Sequence, residues 1–170
     1  MPLHQIIFAG VMLAACIYAI ARGGAPERLT AYGFLLAFVL TNMVQKGPGD
    51  AYHSVERMIA LVDAGLLGAV LFVALVSCRF WGMAMACLMI VDVLGHFAKL
   101  LLAQELFSPV YYALVALVSY PMIALLAIGT WRHRRRLRRY GVDYSWVWQL
   151  PPAYRLGWIA VPHTAGDERS

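Results

Sequence analysis

Residues 53–99 read HSVERMIALVDAGLLGAVLFVALVSCRFWGMAMACLMIVDVLGHFAK, two apolar runs parted by Cys78-Arg79-Phe80-Trp81. Each run exceeds the roughly 20 apolar residues that carry an α-helix across a bilayer. A break this short makes the two helices an antiparallel hairpin. In the first run His53, Glu56, Ala60 and Asp63 recur at spacings that put them on one stripe of a 3.6-residue helix, and in the second Asp92, Gly95, His96 and Lys99 do the same. With the turn centred near Arg79 and a rise of about 1.5 Å per residue in both helices, residues at equal height have numbers summing to about 158. Asp63 is then level with Gly95, between Asp92 and His96, and Glu56 lies within a turn of Lys99.

The composition agrees with such a hairpin. Of 170 residues, 62% are hydrophobic and 14% charged, with a mean hydropathy of +0.68, too apolar for an ordinary soluble domain. The length accommodates one domain and five spans. The expected fold is all-α and integral to the membrane: a five-helix bundle with spans at about 3–21, 29–45, 54–77, 81–103 and 109–131, followed by a basic tail over 132–170. The segment from Arg22 to Arg28 reads as a turn, and Asp50 or Ser54 as the cap of the third span. Ser108 reads as a cap before Pro109 in the fifth, and Pro121 is expected to kink it. Residues 1–5 carry no Lys or Arg before the apolar run, so the first segment reads as a retained span.

Arg22, Arg28 and Arg79 fall on one side with Arg132, Arg134, Arg135, Arg136, Arg138 and Arg139, against Lys46 and Arg57 on the other. The positive-inside rule then puts the N-terminus outside and the C-terminus in the cytoplasm. The charge of +5 is concentrated in that arginine run, which therefore reads as a topological and anionic-headgroup signal rather than a nucleic-acid site. After Gly141 the tail is irregular and aromatic, with Tyr144, Trp146, Trp148, Tyr154 and Trp158 among Pro151, Pro152 and Pro162. These aromatics suit either the headgroup layer or a partner protein. Cys16, Cys78 and Cys87 form no disulfide or CxxC pattern, and the chain has no P-loop, GxGxxG, HExxH or GxSxG motif.

A charge at the bilayer centre costs about 2.5–3.5 kcal/mol on insertion scales, so Asp63 and Asp92 require partners. Mutual satisfaction is one reading: Asp92 bonds His96 one turn away, Asp63 meets the same imidazole, and Glu56 pairs with Lys99. A proton or cation path would use Asp63, Asp92 and His96 and open past Lys99, Glu56 and His53. A metal cage from His53, Glu56, His96 and an aspartate matches no standard spacing, and no metal or cofactor is assigned. A quinone or pigment pocket would draw on His96, Tyr112, Tyr120 and Trp81. Ala64, Gly65, Gly68 and Ala69 form a small-residue surface that predicts close helix packing.

The aspartate early in one span, the Ser-Cys-Arg-Phe-Trp turn, the Gly-His-Phe-Ala step and the closing arginines resemble small bacterial inner-membrane proteins. That likeness implies a location and no activity. The leading expectation is a non-catalytic multi-pass protein, an accessory or assembly subunit of a larger membrane complex, with lipid and other subunits as partners. The alternatives are a proton- or cation-coupled transporter using Asp63, Asp92 and His96, and a quinone- or metal-dependent redox protein.

Overall fold

The structure, a computed structural model, describes residues 3–46, 52–101 and 108–149. Five α-helices account for most of them: α1 (Leu3–Arg22), α2 (Ala25–Lys46), α3 (Tyr52–Val76), α4 (Phe80–Leu101) and α5 (Ser108–Tyr140), with a short 3₁₀ turn at Val147–Gln149. Each helix packs on its predecessor and α5 closes on α1, with a smaller α2–α5 contact. Short connections favour this arrangement, because they leave consecutive helices antiparallel and adjacent. Two helical stretches, Arg57–Val76 and Phe80–Ala98, are long and apolar enough to cross a membrane.

Three helix boundaries differ from the sequence reading. α2 begins at Ala25 rather than near Leu29, because Pro26 is compatible with a first helical turn, where an amide N–H would go unused. The third helix starts at Tyr52, so Ser54 lies inside its first turn; Asp50 is outside the described residues. α5 passes Trp131 and continues through the arginines to Tyr140, since arginine is a strong helix former whether or not its surroundings are apolar. Gly141 stops it, with φ of 71° and its N–H donating to the Leu137 carbonyl at 3.0 Å. Pro121 lies within α5 without ending it.

The core runs along the inside of the ring and is rich in methionine: Met12 and Cys16 of α1, Phe34 of α2, Val73 of α3, Met85 and Met89 of α4, and Met122 and Leu126 of α5. Trp81 of α4 closes one end of this core, its indole lying against Gly129 of α5. A Cβ at that glycine would come within 2.8 Å of Trp81 Nε1. Gly129→Val is therefore expected to displace the indole and cost about 1–3 kcal/mol, read by thermal unfolding of the detergent-purified chain. Unchanged unfolding would mean that the indole does not sit there.

Outside the ring the surface is apolar. Leu61 is 72% exposed and Leu75 79%. Gly65 and Gly68 belong to the same open surface, and a Cβ at either would meet nothing within 4 Å. The close packing expected of this small-residue face does not occur among the described residues.

Candidate functional site

Two polar clusters interrupt this apolar framework. The first lies in the middle of the α3–α4 hairpin. Asp63 is on α3, and Asp92 and His96 stand one turn apart on α4, so the antiparallel register brings all three together. His96 Nε2 lies 2.9 Å from Asp63 Oδ2. Asp92 is 7% exposed, and its Oδ1 has no hydrogen-bond partner among the described residues. The Asp63–imidazole contact of the mutual-satisfaction reading is thus present, while this Asp92 oxygen takes no part in it. One ligand-type atom from each of the three residues lies within 4.8 Å of the other two. An imidazole and two carboxylates at this separation can share protons or hold a cation.

His53, Glu56 and Lys99 stand on the helices that carry this cluster, but their side chains, like that of Tyr112, lie outside the described part of the structure. The Glu56–Lys99 pairing expected from register falls there too. Of the other proposed pocket residues, Trp81 belongs to the far end of α4, and Tyr120 packs edge-on against Phe8 of α1, ring centroids 5.4 Å apart.

The second cluster was not anticipated from the sequence. It lies where the α1–α2 turn, the α3–α4 turn and the far end of α5 meet. Arg79, 3% exposed, donates from Nη1 to Asp143 Oδ2 at 2.7 Å, and its Nε lies 3.5 Å from Glu27 Oε1. Trp81 Nε1 donates to the same Glu27 oxygen at 3.3 Å. His133 Nδ1 is 2.6 Å from Asp143 Oδ2 and 3.1 Å from Arg79 Nη2. A guanidinium only donates and a carboxylate only accepts, so the shorter distance assigns the Nδ1 proton to the bond with Asp143. Arg136 Nε lies 3.0 Å from Asp143 Oδ1. Two acids and two guanidiniums thus alternate around the imidazole and balance in charge.

Asp143 reaches this socket because the chain reverses after Gly141. The returning segment lies against the α3–α4 turn, where Cys78 N–H donates to the Ser145 carbonyl at 3.3 Å and Ser77 bridges Trp146. Gln149 Oε1 accepts from the backbone of Ser145 and Trp146, and Trp146 stacks on Trp148 at 5.2 Å. The first part of the expected lipid- or partner-facing tail is therefore folded onto its own chain; Trp158 lies outside the described residues. The signals available in the sequence were a glutamate beside Pro26, a histidine among the arginines, and a single acid just past the glycine stop.

Loss of solvation at this turn pushes the Cys78 thiol above its ordinary value, with Arg79 offsetting part of the rise and Asp143 adding to it. A raised pKa means less thiolate at a given pH, and the thiolate is the reactive form. Iodoacetamide should therefore modify Cys78 more slowly at neutral pH than it modifies a peptide thiol, with the rate still climbing at pH values where the peptide has levelled off. Quantifying the Cys78 peptide by mass spectrometry checks this, and an early plateau would contradict it.

Arginines also line the exposed side of α5. Arg132, Arg135, Arg136 and Arg139 border a cleft of about 480 Å³ with Trp131 and Tyr140, and Arg134 and Arg138 border a neighbouring cleft of about 340 Å³. Arg135 lies over the Trp131 ring, 5.4 Å from its centroid. Both clefts can hold anionic groups.

No protein-family model, curated protein or solved structure matches the chain.

Proposed function

We propose that the chain is a five-span inner-membrane protein, N-terminus outside and C-terminus cytoplasmic, whose α3–α4 hairpin moves protons or cations through Asp63, Asp92 and His96. The observation that carries this reading is a buried Asp92 oxygen that has no hydrogen-bond partner among the described residues, on a side chain clustered with the Asp63–His96 pair, in the two helices best suited to cross a membrane. Intramembrane ionisable residues are costly and belong as a rule to ion pathways or relays. The arginine clefts at the far end of α5 suit anionic lipid headgroups on the cytoplasmic side. Ion flux into vesicles containing the purified chain tests the reading. Asp92→Asn should abolish flux while leaving the unfolding temperature close to wild type. Equal flux in variant and wild type would refute it.

A second reading, an accessory subunit of a larger membrane complex, is favoured by the open Ala64, Gly65, Gly68 and Ala69 face of α3, because small residues let another helix approach closely. Gentle-detergent purification from native membrane should then yield a stoichiometric partner that Gly68→Leu releases without unfolding the chain. A lone chain in that preparation would count against it.

A further inference from the structure

We infer that Asp63, Asp92 and His96 form a binding site for one first-row divalent transition cation. The inference deepens the proposed cation-handling role by naming the class of ion, and rests on that role only for the ion's movement, not for its binding.

His96 Nε2 and Asp63 Oδ2 are 2.9 Å apart. Two donors each about 2.1 Å from one metal ion stand about 3.0 Å apart when they subtend a right angle, so this edge already has the size of a coordination edge. The three ligand atoms all lie within 4.8 Å of one another, close to the roughly 4.2 Å span of two opposite ligands at that bond length. A small side-chain adjustment suffices to bring all three around one ion. Asp92 is more than nine-tenths buried, its Oδ1 takes no hydrogen bond among the described residues, and one of its carboxylate oxygens lies within 4.8 Å of both other donors. Charge favours the same occupant, because two carboxylates and a neutral imidazole around a divalent cation sum to zero. Such a site avoids the cost of uncompensated buried anions.

The donor set selects among cations. Oxygen ligands alone would suit magnesium or calcium, whereas an imidazole shifts preference to manganese, iron, cobalt or zinc, and the lack of a thiolate disfavours copper(I). Three protein ligands leave further positions open to water or to a group from an incoming carrier.

The test uses the untagged full chain in detergent, stripped with EDTA and titrated with cobalt(II) or manganese(II) alone. One ion per chain is expected, with a visible cobalt spectrum of low symmetry. Magnesium should not compete at equal concentration. Asp92→Asn and His96→Gln should each weaken binding by at least about 100-fold, since even the loss of residues that only support metal ligands costs 10–100-fold. His133→Asn, at the other cluster, should leave binding unchanged. In wild-type chain, nitrogen coupling to bound manganese should report a single imidazole, which keeps the proposal testable if a variant fails to fold. No binding, binding insensitive to both ligand variants, or equal competition by magnesium would overturn it. Binding without flux would refute the transport reading alone, and flux of protons without divalent binding would refute this one alone.

Discussion

Arg79→Met is expected to lower the unfolding free energy by about 3–5 kcal/mol, the range for removing one partner from a buried ion pair. Glu27 is fully buried and the Asp143 side chain 8% exposed, so the variant leaves both carboxylates without the guanidinium between them. Arg136 still reaches Asp143, and among the described residues Glu27 keeps the Trp81 N–H alone. Arg79→Lys should fall between wild type and Arg79→Met, because an ammonium keeps the charge but cannot address Glu27 and Asp143 through a planar fork. The triple variant Glu27→Gln, Arg79→Met, Asp143→Asn removes the charges together and should recover much of the loss. Denaturant unfolding of purified chain, followed by circular dichroism, measures all three. A single-variant loss under about 0.5 kcal/mol, the scale of an ordinary surface substitution, would show that these ion pairs do not stabilise the fold.

Asp92→Leu should do the opposite: raise stability by about 1–3 kcal/mol, the cost of a buried polar group without a hydrogen bond, while eliminating cation binding. Leucine suits the apolar helix and leaves the Asp63–His96 contact in place. Unfolding and cobalt titration on the same preparation read both effects. A gain in stability with loss of binding is the signature of a residue kept for its chemistry. A loss of stability would mean that Asp92 contributes to packing or has a structural partner, and would remove the main support for a functional site in the hairpin.

The hairpin and its register were legible because both depend on local features: two apolar runs, a four-residue break and a constant rise per residue. These sufficed to bring Asp63 opposite His96. They did not reveal that Asp92 Oδ1 has no hydrogen-bond partner among the described residues, which depends on side-chain direction rather than height. The Glu27–Arg79–His133–Asp143 cluster was harder to read because its members come from three separate turns or helix ends, with Arg79 lying 54 residues from His133. In isolation Arg79 resembles a topological charge and His133 one more basic residue in a run. The end of α5 was misjudged for a related reason, since hydropathy marks where apolar residues stop and not where helical backbone does. Gly65 and Gly68 have the spacing of a packing motif, but spacing does not say whether the partner helix belongs to the same chain.

The sequence separation of Arg79 and Asp143, 64 residues, also fixes an order of events during translation. Glu27 and Arg79 leave the ribosome first and can meet as soon as the α3–α4 turn forms. The imidazole of His133 follows, and the carboxylate that joins Arg79, His133 and Arg136 emerges last. Until then one end of the ring is held by a single acid–base contact, and the return segment whose Ser145 carbonyl accepts from the Cys78 N–H does not yet exist. A nascent chain halted before residue 143 would therefore present the Arg79 guanidinium without its Asp143 partner, giving quality-control machinery a chemical mark of unfinished synthesis that the completed protein, with Arg79 buried, hides.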